Sequence, residues 1–405
     1  MVASPVPRTR PGANASLTAG SAQAHLLGWG VAALLAALTC WRVWHGGRTL
    51  NDHAVAALVV AMVGVYPTLW SLSGAASAPL GSALTVGPVA IYGLFHALDL
   101  RRDPGWFWTA LARLAQAAMA FSLWTGLFLC FWAPYALVVG DWWPGRWLLA
   151  PLALAVLGTA WTYARHSTLR VNRVGDGSRQ VRIVHLSDLH GCPLMTRRDL
   201  DAVVDKARAL SPDLVAVTGD HLMPYSEGDF DFILDALSRL GAPVVACLGN
   251  HDLPVAERLR EGFASRGMHC LVDESRILLL SGVSLEVAAV NFHWKDARAR
   301  AAAAIATMPV PPADRRLLMV HDPRVFDAVP PGRFDLVLAG HTHGGQVGID
   351  VLRPWSLLRL FGAYDQGRFE RGGNVLWVHR GSWHTGLPPR MGIASEIVVH
   401  RLALP

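Results

Sequence analysis

From Gln180 to the C-terminus the chain repeats one device: a short apolar run that stops abruptly at a polar cluster. VRIVHLSDLH (181–190), DLVAVTGD (213–220), PVVACLGNHD (243–252), RLLMVHDP (316–323) and DLVLAGHTH (335–343) are all of this kind. Runs of about four to eight apolar residues, rich in Val, Ile and Leu and bounded by Gly, Asn and Asp, read as β-strands. Helix-like stretches separate them: one through Leu210, one around Phe230–Leu240, one through Gly262 and an alanine-rich one near 296–307. ILLL and LEVAAV add two more strand-like runs. Strands alternating with helices predict an α/β domain whose functional groups sit at the carboxyl ends of its strands.

The polar clusters at those ends read Asp188-x-His190, Gly219-Asp220, Gly249-Asn250-His251-Asp252, His321 and Gly340-His341-x-His343. Each offers an oxygen or imidazole ligand, and glycines beside them let the backbone turn sharply. An Asp-x-His or a Gly-Asp turn alone is commonplace; five such clusters, each at a strand end, point to a metal centre. Two divalent ions about 3.5–4 Å apart polarise a phosphoryl group and lower the pKa of a water they share. Ions held that close need a common anionic oxygen, so one carboxylate should bridge. Mixed Asp, Asn and His ligands suit Mn, Fe or Zn.

The five blocks, in this order, resemble the calcineurin-like metallophosphoesterase superfamily over roughly residues 180–402. GHTHGGQ together with HRGSWHTGLPPRMGIASEI looks like the bacterial, membrane-anchored branch, some of whose members are linked to cleaving UDP-diacylglucosamine. The resemblance implies a four-layer α/β sandwich. It also implies that Asp188, His190, Asp220 and His343 hold one ion, and that Asn250, His321, His341 and the bridging Asp220 hold the other. His251 would not ligate but would contact the phosphoryl oxygens and assist the leaving group. Phosphoprotein phosphatases of the superfamily follow their Gly-Asp block with an Asp and an Arg-Gly. Here His221-Leu222-Met223-Pro224 stands instead, which argues against a Ser/Thr protein phosphatase and leaves His251 without its usual carboxylate partner.

Other polar residues carry less. His185, inside the first strand, reads as a core or ligand-supporting histidine; His293 and His384 read as surface or rim residues, and Trp383 and Arg390 as pocket-lining ones. RPWSLLRLFG (353–362) is either a helix packed on the core or an interfacial segment. In the second reading Trp355, Leu358 and Phe361 face lipid and Arg359 faces headgroups or phosphate. Five cysteines without a CxxC spacing argue against a disulfide framework or a thiolate zinc site.

The first 160 residues are a different material. They hold four carboxylates, all Asp, and twelve of the sixteen tryptophans fall before residue 165. A bilayer-spanning helix needs roughly 20 mainly apolar residues, and five runs qualify: Leu26–Trp44, Ala54–Leu72, Leu80–Leu98, Leu111–Val139 and Trp147–Tyr163. The expected organisation is a disordered tail (1–20), a multi-span membrane region (21–165), a linker (166–179) and the α/β domain (180–405). Arg48, Arg101, Arg102, Arg165, Arg170 and Arg173 fall on one side of such an arrangement, and Arg8, Arg10 and Arg146 on the other. That excess predicts a cytoplasmic catalytic domain on a bacterial inner membrane. The net positive charge of +6 comes almost wholly from arginine, much of it flanking apolar segments, which reads as topology signal and headgroup attraction, with no nucleic-acid partner expected. The function expected is hydrolysis of a lipid-linked phosphodiester, pyrophosphate or phosphomonoester. The rival readings are an anchored phosphodiesterase for soluble nucleotides and a non-catalytic sensor with a phosphoesterase-like head.

Overall fold

The computed structural model describes residues 168–404, apart from 192–194, 224–229, 347, 351–354, 361–363, 384–389 and 391, together with isolated positions between 138 and 167. The tail expected over 1–20, the first three apolar runs, nearly all of the other two, and Cys192, Phe361 and His384 lie outside the described residues. Among the described residues no helix is long and apolar enough to cross a membrane.

In chain order the elements are β1 (Thr168–Val174), β2 (Gln180–Leu186), α1 (Arg197–Ala209), β3 (Leu214–Thr218), α2 (Phe230–Ser238), β4 (Val244–Cys247), α3 (Ala256–Ala264), β5 (His269–Leu271), β6 (Glu274–Leu280), β7 (Val283–Ala289), α4 (Ala297–Thr307), β8 (Arg315–Met319), β9 (Leu336–Ala339), β10 (Gly348–Ile349), β11 (Trp355–Ser356), β12 (Gly367–Arg371), β13 (Asn374–Val378) and β14 (Glu396–Ala403). The four expected helices are all present. The first starts where its sequence allows: Thr196 accepts from the Asp199 backbone N–H, and the Asp199 carboxylate accepts from the Thr196 N–H, a reciprocal capping box.

Two six-stranded mixed sheets form, in the orders β1-β14-β2-β3-β4-β5 and β12-β13-β9-β8-β7-β6. β2 to β5 run parallel, as do β7, β8, β9 and β13. Parallel strands covered on both faces read as unbroken apolar runs, and LVAVT of β3, VVAC of β4 and LVLA of β9 are buried throughout. Side-chain alternation divides them among three cores. Ile183, Leu214, Ala216 and Val245 meet Leu285, Val287, Leu317 and Leu336 between the sheets. Val184, Val215 and Val217 face Leu200, Val203, Ile233 and Phe263 of α1 to α3, whereas Leu318 and Val337 face Ala301 and Ile305 of α4. The layers are therefore helix, sheet, sheet, helix. Each fully buried Leu, Ile or Val contributes about 1.5–3 kcal/mol relative to exposure.

Two expectations change. The stretch read as a linker, 166–179, contains β1, which pairs in parallel with β14 and extends the first sheet. Segment 353–362 is not one helix: Trp355–Ser356 pairs with β10, and Leu357–Leu360 forms a single 3₁₀ turn.

Candidate metal centre

All five polar clusters stand at carboxyl ends of parallel strands: β2, β3 and β4 in the first sheet, β8 and β9 in the second. Five of the seven expected ligands, Asp188, His190, Asp220, His341 and His343, have positive φ between 48° and 71°. Such conformations cost non-glycine residues about 1–3 kcal/mol each and persist where the surroundings enforce them. Here the enforcement is a cross-linked set of loops. The N–H groups of Asp188 and His190 donate to the carbonyls of Gly219 and Asp220, at 3.1 and 2.9 Å. Those of His251 and His341 donate to the carboxylates of Asp220 (2.9 Å) and Asp188 (3.2 Å). Gly340 is required by space, since a Cβ there would strike Ser187 Oγ and lie 2.6 Å from Asp188 Oδ2.

The ligand atoms converge as ion-binding groups must. Two nitrogens bound cis to one ion at about 2.1 Å lie about 3 Å apart; His190 Nε2 and His343 Nε2 are 2.9 Å apart. Asp188 Oδ1 is 3.1 Å from His343 Nε2, and Asp220 Oδ2 is 3.6 Å from His190 Nε2. On the other side, Asp220 Oδ2 is 3.2 Å from His321 Nε2, and Asn250 Oδ1 lies 3.2 Å from His321 Nε2 and 2.9 Å from His341 Nδ1. Two groups result, Asp188–His190–Asp220–His343 and Asp220–His321–His341, with Asn250 beside the second and Asp220 common to both. This donor set suits divalent metal ions, and the residues named from sequence are the ones brought together. His251 belongs to neither group. Its ring lies 5.2 Å from that of His190, its Nε2 is 3.8 Å from Asp220 Oδ2, and its side chain is partly exposed.

Neighbouring groups set the charge states within the site. Burial opposes ionisation of Asp188 and Asp220, but neighbouring histidines, His343 beside Asp188 and His321 beside Asp220, hold both carboxyls well below the usual range. Burial would likewise lower His321, yet Asp220 and Asp188 push it up to about 10. Its Nδ1–H donates to the Thr218 carbonyl at 2.7 Å, so Nε2 is the nitrogen aimed at an ion. His341 is lowered to about 4 by burial and the His321 charge, and His190 well below its ordinary value by burial; both are neutral near pH 7. Loading the second site at pH 7–9 should therefore expel the His321 proton. Calorimetry in buffers of different ionisation enthalpy should find about one proton released with that ion, and its affinity rising about tenfold per pH unit below pH 10. The raised pKa also has a stability consequence in the metal-free chain. Its contribution is complete below about pH 6.5, the unfolded value, and is lost as pH rises through about 10.

Three further side chains acquire definite partners or surroundings. Asp252 does not serve His251: its carboxylate accepts from His221 Nδ1 at 2.9 Å and from the backbone N–H groups of His221 and Gly249, tying two ligand loops together. Trp383 is buried in the helix-side core of the first sheet. Arg390 is buried too, donating to the carbonyls of Trp383 and His343 at 3.1 and 3.2 Å, so it braces a ligand loop. Of the residues expected to face lipid, Leu358 is partly exposed and Arg359 exposed. Sequence reasoning passed over an aromatic wall. Phe292 lies 5.5 Å from the His341 ring and 5.9 Å from His321, and carries the 44% exposed Trp294 on its edge at 4.9 Å. The available signal was NFHWKD at the end of a strand, the same position that marks the ligands.

Comparison with known proteins agrees with this geometry. Residues 181–345 match the family model described as calcineurin-like phosphoesterase. The chain is 33% identical over 86 residues to the uncharacterized metallophosphoesterase YkuE of Bacillus subtilis (strain 168), covering 21% of this chain and 30% of that protein. It is 35% identical over 89 residues to an uncharacterized metallophosphoesterase of Helicobacter pylori (strain J99), covering 21% of this chain and 23% of the relative. The matches thus span under a third of either relative's length. Among solved structures, GAP50, the anchor in the inner membrane complex of Plasmodium, superposes with a TM-score of 0.33 at 14% identity, over 55% of this chain and 81% of that one. That superposition is loose, and no property is carried over from it.

Proposed function

From the match of residues 181–345 to the calcineurin-like phosphoesterase family, we propose that the chain is a membrane-anchored, metal-dependent phosphoester hydrolase with a lipid-linked substrate. The hydrolase reading rests on one observation above all: ligand atoms from four strand ends converge in two groups that share Asp220, with Asn250 of a fifth beside the second. Two divalent ions held there polarise a phosphoryl group and lower the pKa of a shared water, as in-line displacement requires. The chain's own residues do the remainder. Asp188 and Asp220 present anionic oxygens, and His190 and His341 present neutral nitrogens. His251, partly exposed and outside both ligand groups, is free to hold a proton beside the leaving oxygen.

The lipid part of the proposal is supported by the apolar N-terminal runs and by segment 353–362. A Cβ at Gly345 would come within 2.9 Å of Leu358 Cβ, so the turn carrying Leu358 and Arg359 rests against the loop bearing His341 and His343. An acyl chain sheltered there gains about 0.8 kcal/mol per methylene. The arginine asymmetry puts the domain on the cytoplasmic side in this proposal. The test is a panel of lipid-linked and soluble phosphoesters given to purified full-length protein with Mn or Zn. Wild type should hydrolyse members of the panel only with metal. Replacing Trp355, Leu358 and Phe361 with serine should depress turnover of a lipid-linked phosphodiester at least tenfold while leaving a small chromogenic diester nearly unchanged. Equal rates on the lipid substrate before and after substitution would favour the soluble-nucleotide reading.

A further inference from the structure

The two oxygens of Asp188 share the His341 N–H, at 3.2 Å each, but otherwise have different neighbours. Oδ1 lies 3.1 Å from His343 Nε2, inside the ligand group. Oδ2 accepts from Ser187 Oγ–H at 2.6 Å, and behind Ser187 a line of hydrogen bonds runs away from the centre. Thr218 Oγ1 donates to Ser187 Oγ at 2.8 Å, and His185 Nε2 is 2.8 Å from Thr218 Oγ1. His400 Nε2 is 3.3 Å from His185 Nδ1, and Asn172 Nδ2 is 3.0 Å from His400 Nδ1. Arg368 Nη1 finally donates to Asn172 Oδ1 at 2.9 Å.

The ends of this line determine its middle. A guanidinium has only donors, and the Asp188 carboxylate has only acceptors. Every proton between them must therefore point toward Asp188. Asn172 offers its NH₂ to His400, and both His400 and His185 are neutral Nε2–H tautomers. Burial supports that neutrality: His400 is lowered to about 3 by burial, His379 and Arg368, and His185 well below its ordinary value by burial, His379 and His400. Ser187, Thr218, His185 and His400 are fully buried and Asn172 is 4% exposed, while Arg368 reaches solvent. Placing five polar side chains in a row costs desolvation that apolar residues would avoid. Asn172 and His400, moreover, lie outside residues 181–345, on the neighbouring strands β1 and β14.

We propose that Asn172, His400, His185, Thr218 and Ser187 form a positioning relay that occupies Asp188 Oδ2 and so aims Oδ1 at the ions, making affinity at the first metal site depend on the far edge of the sheet. The relay rests on the metal-centre reading. Thr218 also supplies a control, because its backbone carbonyl, which no side-chain change removes, orients His321 of the second site.

The experiment titrates Mn into metal-free, full-length protein and follows both sites by calorimetry, with thermal unfolding recorded on each sample. Thr218→Val keeps the shape and deletes the link; Thr218→Ser restores it. Farther out, His400→Phe cuts the line, whereas His400→Gln retains one donor and one acceptor. Thr218→Val should weaken the Asp188-containing site about 10–100-fold, the usual effect of losing a group that orients a ligand. His400→Phe should weaken it less, the Ser and Gln variants should return toward wild type, and the His321-containing site should barely move. Folded Thr218→Val and His400→Phe proteins with wild-type affinity at both sites would overturn the relay. So would Val and Ser variants equally impaired, since the loss would then be one of packing. Wild type that takes up no Mn would instead overturn the metal centre itself, and the relay's role with it.

Discussion

Asp220→Asn is expected to cost the protein both ions at once, the largest metal loss of any single substitution at the centre. Asp220 Oδ2 stands 3.6 Å from His190 Nε2 on one side and 3.2 Å from His321 Nε2 on the other. Its second oxygen accepts from the His251 N–H. No other carboxylate belongs to both ligand groups among the described residues. Asparagine keeps the shape but removes the charge and one acceptor, so two cations would be left to share a neutral oxygen. Affinity at both sites should fall by more than about 100-fold, beyond the range seen for supporting residues, and hydrolysis should fall with it. Asp188→Asn, by contrast, should empty the first site and leave the second largely filled. Metal analysis of both variants, dialysed against the same Mn concentration, distinguishes the two patterns.

His251→Ala should separate chemistry from metal binding. Its side chain lies outside both ligand groups, with Nε2 3.8 Å from Asp220 Oδ2 and part of its ring exposed. Truncation therefore removes no ligand atom, and the backbone N–H that braces Asp220 survives. Metal content should stay at the wild-type level while the rate drops about 10²–10⁴-fold, the range for a lost general acid. Rate and metal content measured on one preparation decide the matter. Parallel loss of both would mean that His251 supports the site instead of the reaction.

The parts of this molecule legible in sequence are those whose signal is local. β2, β3, β4, β8 and β9 are each a largely apolar run with a polar cluster directly after it, so strands and clusters could be read together, while the choice of seven expected ligands among them came from the family resemblance. What escaped depends on pairings between distant segments. β1 alternates, with Leu169 and Val171 exposed at a sheet edge, and becomes recognisable as a strand through β14, more than two hundred residues later. Asn172 and His400 meet only because that register joins them. Asp252 follows His251 directly, yet its carboxylate turns back to His221, a choice made by the fold and not by adjacency. Trp383 and Arg390 read as pocket-lining residues, but the sequence carries no geometry for either. The buried carbonyls of Trp383 and His343 claim the guanidinium.

Metal content of the purified full-length chain tests the central claim most directly. Protein stripped with chelator, re-equilibrated with Mn or Zn and freed of unbound ion should carry two ions per chain, falling toward none in Asp220→Asn. Wild-type protein that stays folded yet retains no ion and recruits none would contradict the account at its root.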